Sequence, residues 1–540
     1  MSADATEEVG AGSPAEVPTG TASQGRSLLA TSTTPAIGTA LSRVTGLVRV
    51  GALTTALGLT SVADVYNLAN TAPNILYELV LGGVLSSTLV PLFISAGEEH
   101  DDESSSVMTT VAFVAIIALT FLALLLSPLL NQLFAISLDG EEKRRQLDHG
   151  ADFLLLLLPQ IFFYGMTTLA TALLHARRRF AAPAFAPVLT NVVISTAALS
   201  VYWVLGEGAD PNHTVWVLGL GTTAGVASMA IVLLPALRNA GVQLRWNFQP
   251  NHRAVRQVLK LSGWTVGFTI SNSVATLVVL TLARGADVGA VSAYQYAFIF
   301  FQLPYGLIAV SIMTAVLPEL ATAAAEGDET TFAERFREGL SLLLTLMIPA
   351  AAAYLVLGEP LVSLLLQRGE FDAEATQRTA DMLAGFSVGL PAFAVFLYCV
   401  RAFHARKNTR TPFYLNLGEN ALNVALVLPF IALFEAPGLS IAYSVAYLAA
   451  AAAAVIVLNR QVPGLLGRRH ARLFLPGLLV AAAVSVWVAV ANTYLPDGAG
   501  DVVRILVSLL VAGVAFAGSV AAARPHGFEA VTARLQRLRR

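Results

Sequence analysis

Two short stretches, HARRRFAAP at 175–183 and HARKNTRTP at 404–412, decide the fold of this 540-residue chain. In both, a proline follows the histidine by eight residues, and an asparagine, Asn191 or Asn420, follows that proline by another eight. The alternative is that two cytoplasmic loops acquired similar arginines only to satisfy the positive-inside rule. Because the same residue types recur in the same order after comparable apolar segments, we predict an internal repeat.

The composition indicates a membrane protein. Hydrophobic residues make up 56% of the chain and charged residues only 13%, with a mean hydropathy of +0.67, whereas soluble domains carry about 25% charged residues. A net charge of −2 argues against a nucleic-acid partner. The single cysteine, Cys399, excludes a disulfide framework and a cysteine-based zinc site. No Walker A sequence, paired metal-ligand histidines or nucleophile elbow is present, so we predict a protein that is not an enzyme.

Apolar segments of the length that crosses a bilayer, about 20 residues, recur along the whole chain. We predict fourteen transmembrane helices, spans 1 to 14, at 34–58, 62–96, 107–130, 151–174, 184–206, 215–236, 258–282, 290–323, 339–357, 376–400, 413–434, 438–458, 473–495 and 502–523. Spans 2 and 8 are too long for one straight crossing. Each contains two prolines (Pro73 and Pro91; Pro304 and Pro318), so we expect bent or broken helices there.

The distribution of positive charge predicts the orientation. Most of the 33 Lys and Arg residues fall in cytoplasmic segments if both termini are cytoplasmic. The acidic loop 97–106 has no Lys or Arg and does not follow the pattern, but acidic residues contribute little to the rule. Residues 1–33 read as a disordered cytoplasmic arm. The basic tail 524–540 reads either as a contact with anionic headgroups or as an orientation anchor.

The repeat divides the helices into two lobes. Spans 1–6 (34–236) form the N-lobe and spans 7–12 (258–458) form the C-lobe. Because six is an even number, both lobes enter the membrane in the same sense, which predicts a pseudo-two-fold axis along the membrane normal and a central cavity. Spans 13 and 14 (473–523) lie outside the repeat. This all-α arrangement is typical of a transporter.

Charged residues inside spans are costly and so point to function. Span 1 carries Arg43 and Arg49, about 9 Å apart along the helix axis. Guanidinium groups at this depth suit an anionic substrate group such as phosphate. The alternative is ion pairing with Asp64 and Glu78 of span 2. A further alternative for Asp64 is an ordinary helix cap, and a further alternative for Glu78 is a proton carrier.

Span 11 carries a polar face that includes Asn416, Glu419 and Asn420, and span 7 carries Asn272. Oxygen atoms on facing helices are suited to a cation such as Na⁺. Hydrogen bonding between helices is the alternative account. Because the sequence has no nucleotide site and needs no other cofactor, an ion gradient or the membrane potential must drive transport.

The chain resembles the MurJ/MviN family, the lipid II flippases of the multidrug/oligosaccharidyl-lipid/polysaccharide exporter superfamily. The resemblance covers about 34 to 523, and the stretches S-R-V-x-G-x-x-R and R-F-x-x-P-A-F-A-P are specific to the family. It implies a V-shaped cavity that opens inward and outward, and a groove for the lipid tail formed by spans 13 and 14. The stretches that carry it are LSRVTGLVR (41–49), ADVYNLANTAPN (63–74), LVPLF (89–93), RRRFAAPAFAPVLTN (177–191), QLPYGLIAVSIMTAVLPEL (302–320), RGEFD (368–372), SVGL (387–390) and RAFHARKNTRTP (401–412).

The resemblance also assigns site residues. Arg43 and Arg49 match the two cavity arginines of span 1, and Asp64 and Asn74 match the span-2 acid and the asparagine of the L-P-N motif. The sequence also departs from the family pattern, because about half of the usual cavity arginines are missing. The departures are Thr71 for a lysine, Tyr77 and Glu78 for an Arg-Arg pair, Gly82 for a glutamate, and Phe298, Ile299 and Gln302 for a charged cluster in span 8.

The resemblance implies that the substrate and partner is lipid II, an undecaprenyl-pyrophosphate-linked disaccharide peptide. We therefore predict a multi-pass protein of the bacterial cytoplasmic membrane that moves lipid II to the outer leaflet by alternating access, surrounded by membrane lipids. Alternatives are a flippase for another polyprenyl-linked glycan, a drug or ion antiporter, or a non-transporting scaffold that recruits proteins of cell-wall synthesis.

Overall fold

The computed structural model describes residues 21–78, 93, 102–206, 210–242, 245–467, 475–494 and isolated positions between 502 and 518. Every regular element in these ranges is helical. The helices are α1 (Thr21–Leu57), α2 (Ser61–Glu78), α3 (Asp102–Phe134), α4 (Gly140–Leu157), α5 (Gln160–Ala176), α6 (Ala181–Ser200), α7 (Pro211–Asn239), α8 (Arg253–Ala286), α9 (Ala290–Pro304), α10 (Val310–Glu326), α11 (Glu329–Leu366), α12 (Ala373–Ala405), α13 (Arg410–Phe434), α14 (Gly438–Gln461) and α15 (Leu475–Tyr494). Short π-helical turns, Val201–Leu205 and Tyr305–Ala309, follow α6 and α9.

Ten helices of the described part are long and apolar enough to cross a membrane. Spans 3 to 13 correspond to successive parts of α3 to α15, and span 1 corresponds to α1. The count of fourteen spans is not tested, because much of spans 2 and 14 lies outside the described residues. The basic tail 524–540 and residues 1–20 also lie outside them.

The structure corrects three boundaries. The helix α1 begins at Thr21, so residues 21–33 of the predicted arm are helical, and a helix can form there without an apolar run because its alanine and leucine residues favour helix. Span 4 is preceded by another helical stretch and is interrupted at Pro159, which has no N–H for the helical ladder. Span 9 lies within a 38-residue helix, α11, whose N-terminus is capped by the Asp328 carboxylate.

The structure shows a local irregularity in span 8 after one of its two prolines, although the chain stays helical from Ala290 to Glu326 and is not broken. The helix α9 ends at Pro304, and the backbone widens into the π-helical turn Tyr305–Ala309 before α10 begins. Such turns are frequent at functional sites in helices. In span 2, α2 continues through Pro73 as far as Glu78, and Pro91 lies outside the described residues.

The internal repeat is present in the backbone. The helices α5 and α12 end 229 positions apart (176 and 405), and α6 and α13 begin 229 positions apart (181 and 410). The two connecting turns have the same conformation, with positive φ at Arg178 (55°) and Lys407 (58°). In each, the amide of this residue donates to the carbonyl of His175 or His404, so the end of the helix is closed in the same way.

Equivalent asparagines then attach equivalent helices. The Asn191 side chain donates to the Ser42 carbonyl and the Thr45 hydroxyl of α1. Asn420 donates to Ser271 and Asn272 of α8. The helices α1 and α6 are therefore related to α8 and α13 in the other lobe. Outside the repeat, α15 packs against α11, where Val480 and Val484 contact Leu357.

Candidate functional site

The site begins with the two arginines of α1. The Arg43 side chain is exposed and Arg49 is half-buried. The Arg43 guanidinium lies across the interface between the lobes, against Gly306 in the π-helical turn of the C-lobe. A Cβ atom at Gly306 would stand only 3.1 Å from Arg43 Nη1, so the absence of a side chain there makes room for the guanidinium. Arg43 therefore reaches the π-helical turn of span 8, the span in which the sequence predicted a bent or broken helix.

Neither arginine is neutralised by an acid within the described part of the chain. No ion pair or hydrogen bond of that part involves the Arg43 guanidinium, and the buried Nε of Arg49 has no hydrogen-bond partner. Arg49 lies close enough to Tyr66 of α2 to act on it electrostatically. Two cationic groups that have no counter-ion among the described residues are suited to a ligand that brings its own negative charge.

Asp64 does not pair with either arginine, because its carboxylate binds the N-terminus of α9 in the other lobe. Its buried carboxylate accepts hydrogen bonds from the Gly289 amide (2.7 Å) and from the Ser292 amide and hydroxyl (2.9 and 2.7 Å) at the N-terminus of α9. The helix-cap alternative for Asp64 is thus the one that the geometry shows, with the difference that the capped helix belongs to the other lobe. Its predicted contact with substrate remains untested.

Beside Asp64 lies a residue that the sequence placed in an exterior loop. Arg284 is in the last turn of α8, and its side chain is only 1% exposed. Its Nη2 donates to Glu142 (2.8 Å) and Ser61 (2.8 Å), and its Nη1 is 3.8 Å from Asp64 Oδ2. The Arg284 guanidinium of the C-lobe thus meets two carboxylates of the N-lobe, of which Asp64 is buried and Glu142 is partly exposed. No sequence motif could predict this site, because its residues are far apart in the sequence. The only local signal was an arginine, Arg284, next to an apolar span.

Further contacts close the same end of the molecule. Asn67 donates to Ser292 and Tyr296, and Gln295 donates to Thr71, so α2 and α9 are joined over two turns. The Glu370 amide donates to the Thr55 carbonyl. We call the residues that join the lobes here the interlobe lock: Ser61, Asp64, Asn67, Thr71, Glu142, Arg284, Ser292, Gln295 and Tyr296. This end carries the loops that are predicted to be extracellular.

The other residues predicted for the span-2 site have different surroundings. Asn74 accepts a hydrogen bond from the Tyr164 hydroxyl of α5 (2.9 Å), so it links two helices of the N-lobe. Glu78 is the last residue of α2, and its side chain lies outside the described residues. Phe298, where the family has charge, is part of an aromatic core with Phe301, Phe386 and Tyr443. Aromatic packing therefore takes the place of a charge at Phe298, whereas Gln302 is exposed.

The predicted cation ligands separate into two groups. Asn272 Oδ1 accepts hydrogen bonds from Asn416 (2.8 Å) and Asn420 (2.9 Å), which fills the α8–α13 interface with paired amides. Glu419 is not in this network. Its side chain is 3% exposed and faces the tyrosines of α9 and α14. The four predicted ligands therefore do not converge on one point, and the amide oxygen with the most contacts already accepts N–H groups.

The comparisons with known proteins identify the family of the chain. The model of the family described as "Lipid II flippase MurJ" matches residues 53–508. The chain belongs to the lipid II flippase MurJ family. It is accordingly a transporter and not an enzyme. A relative from Rhizobium meliloti (strain 1021), named "Probable lipid II flippase MurJ", is 32% identical over 414 residues, which cover 75% of this chain and 76% of the relative.

Three further similar proteins show how widely the sequence and the fold are shared. A relative of the same printed name from Thermotoga maritima is 27% identical over 415 residues, covering 76% of this chain and 82% of its own. A solved structure titled "Lipid II flippase MurJ, inward closed conformation" covers 90% of this chain and 98% of its own, with a TM-score of 0.73 at 23% identity. An inward-facing multidrug MATE transporter of the MOP superfamily has a TM-score of 0.67 at 13% identity, covering 78% and 95%. These two structures show the shared two-lobe fold.

Proposed function

We propose that this chain carries lipid II from the cytoplasmic leaflet to the outer leaflet of the bacterial inner membrane, with both of its own termini in the cytoplasm. The observation that carries this proposal is the pair of arginines, Arg43 and Arg49, which have no acidic partner in the described part of a chain of this family. The pyrophosphate of lipid II supplies the negative charge that the two guanidinium groups lack.

The two arginines have distinct parts in the proposed site. Arg43 is exposed and touches the Gly306 turn of the C-lobe, so it holds the diphosphate between the lobes. Arg49 is half-buried and lies about 9 Å from Arg43 along the helix axis. It therefore binds the end of the diphosphate that enters the cavity first. The planar guanidinium contacts two phosphate oxygens at once, which a lysine does not do.

The interlobe lock supplies the gate. In this conformation it closes the end that is predicted to be extracellular, so a substrate bound at Arg43 has no path outward. For release, α9 must leave α2, which breaks the Asp64–Ser292 hydrogen bonds and separates Arg284 from Glu142 and Ser61. Alternating access then consists of rocking the lobes with this lock made or broken.

The lipid-tail groove, the partners and the driving force complete the proposed transport cycle. We propose that spans 13 and 14 (473–523), of which α15 packs against α11 of the C-lobe, form the groove for the lipid tail. The substrate is drawn from the surrounding membrane lipids, and proteins of cell-wall synthesis use or supply it. Of the two driving forces that the sequence left open, we propose the membrane potential, because the oxygen of Asn272 is already hydrogen-bonded to amides and is not free for Na⁺.

Genetic rescue tests the proposed function. We expect this chain to restore growth of cells depleted of their own lipid II flippase, and Arg43→Ala and Arg49→Ala to fail at matched expression. Arg253→Ala is the matched control, because Arg253 is an exposed arginine at the start of α8 and has no substrate role here. Equal rescue by all three variants would remove both arginines from the mechanism. Failure of every form, including the parent, would favour another polyprenyl-linked substrate or a scaffold.

A further inference from the structure

A third arginine lies near the π-helical turn that Arg43 touches. Arg401 is one turn before the end of α12 and directly follows predicted span 10 (376–400), where the positive-inside rule alone would account for it. Its neighbours in the chain, Val400 and Ala402, are buried, but Arg401 itself is exposed. The guanidinium is therefore accessible to a ligand.

The contacts of Tyr305 place Arg401 beside this turn. The Tyr305 ring packs edge-on against Phe393 of α12, with 4.8 Å between the ring centroids. Arg401 follows Phe393 by eight residues, so it lies about two turns further along the helix and about 80° around it. From there Arg401 acts electrostatically on Tyr305. Arg43 of the other lobe meets the next residue, Gly306, so two arginines from different lobes approach consecutive residues of one turn.

Arg401 has no counter-ion among the described residues. No ion pair or hydrogen bond of that part of the chain involves its guanidinium. Two other arginines at the same end of the C-lobe do have partners, since Arg406 pairs with Glu329 at 2.9 Å and Arg335 pairs with Glu338 at 2.8 Å. Like charges that approach the same turn repel each other, so an anion between Arg43 and Arg401 would stabilise the arrangement.

The position of Arg401 bears on the charges that are missing from span 8. Where the family has a charged cluster, this chain has Phe298, Ile299 and Gln302, and the Phe298 ring is packed in the aromatic core. The other two arginines of the candidate site both belong to α1, on the side of the N-lobe. Arg401 supplies a guanidinium from the C-lobe, next to the turn at which α9 ends.

We propose that Arg401 is a third binding residue for the diphosphate, which it holds from the C-lobe while Arg43 holds it from the N-lobe. The inference deepens the proposed function and rests on it for the identity of the ligand. Each guanidinium contacts two phosphate oxygens at once. Because the ligand then joins the two lobes, its binding favours the conformation described here, in which both arginines approach the same turn.

Binding of undecaprenyl diphosphate to the purified full-length protein tests this assignment. We expect Arg401→Gln to bind it at least about tenfold more weakly than the parent, a difference of about 1.4 kcal/mol. The thermal midpoint should not fall, because Arg401 is exposed. Arg410→Gln is the matched control, since Arg410 is an exposed arginine at the same end of the C-lobe and lies over the Tyr414 ring. Equal affinities of Arg401→Gln and the parent would overturn the proposal.

Moving the charge distinguishes ligand binding from a structural role. Gln302 is exposed, lies one turn before Gly306 and stands where the family has charge. The double variant Arg401→Gln/Gln302→Arg returns a guanidinium to the C-lobe side of the cavity. We expect it to recover most of the affinity that Arg401→Gln loses. A double variant that binds as weakly as Arg401→Gln would show that the missing charge is not the cause, and would also overturn the proposal.

Lipid II flipping in proteoliposomes separates this inference from the proposed function. The parent and Arg410→Gln should flip lipid II at the same rate, and Arg401→Gln should be at least about tenfold slower. A parent that flips lipid II no faster than Arg401→Gln would overturn the inference and leave the proposed function intact. A parent that flips no lipid II would refute the proposed function, while the binding measurement still decides the role of Arg401.

Discussion

At the scale of single residues, the informative question is which charges are already paired. The sequence predicted that Arg43, Arg49, Asp64 and Glu78 belong to one cavity, with mutual pairing as the alternative. The structure assigns Asp64 to the lock with Arg284, which leaves the arginines of α1 without that partner. The residue types were predictable because charge in a span is rare. Their pairing was not, since Asp64 and Arg284 are 220 positions apart.

The lock predicts a large difference between two arginines of the same region. Arg284→Ala leaves the buried carboxylate of Asp64 without its cation, whereas Glu142 keeps its pair with Arg145. Breaking a buried pair costs about 3–5 kcal/mol. We expect a marked fall in the thermal midpoint of the purified protein. Arg378→Ala removes an exposed pair with Asp287 and should cost at most about 1 kcal/mol. Equal midpoints for the two variants would contradict the buried role of Arg284.

At the scale of helices, the repeat was predictable because identical turn chemistry leaves a local signature. The motif around His175 and His404 matched in sequence, and the turns match in backbone conformation and in their helix bounds. The π-helical turn after Pro304 was predicted as a break for the same local reason. The break at Pro159 was not predicted, because its span is short enough to read as one straight helix.

The repeat predicts matched effects for its two asparagines. Asn191→Ala removes hydrogen bonds to α1, and Asn420→Ala removes bonds to α8, so each should destabilise its lobe by about 1–3 kcal/mol. Thermal denaturation should show comparable falls for both variants. Asn239→Ala alters an exposed asparagine at the end of α7 and should change little. A fall for only one of the two repeat positions would show that the second copy does not use its asparagine structurally.

At the scale of the whole molecule, composition and charge distribution predicted the class of protein, and the helix bounds confirm most of the spans. The motifs predicted a family that the comparisons confirm. The state of the gate was not predictable, since it depends on α2 and α9, which come from different lobes and meet only in the folded protein. The four-ligand cation site was a reasonable prediction from spacing, but a helical face does not reveal that Glu419 points to another neighbour.

The predicted orientation of the whole molecule in the membrane can be tested by labelling introduced cysteines. Cys399 is buried and is its only cysteine, so replacing it by alanine gives a background for labelling single introduced cysteines. We expect cysteines at Gly140 and Gly206 to react with an impermeant reagent added outside intact cells. Cysteines at Gly241 and Gly327 should react only after the cells are opened. The opposite pattern would invert the molecule and place the lock at the cytoplasmic end.

The central claim is that Arg43 and Arg49 bind the diphosphate of lipid II during its passage. Reconstituted flipping of lipid II measures this most directly, with the parent, Arg43→Ala, Arg49→Ala and the control Arg253→Ala inserted at equal density. We predict that the parent and the control flip lipid II at the same rate and that each of the α1 variants loses most of that rate. Flipping by Arg43→Ala and Arg49→Ala at the rate of the parent would contradict the account.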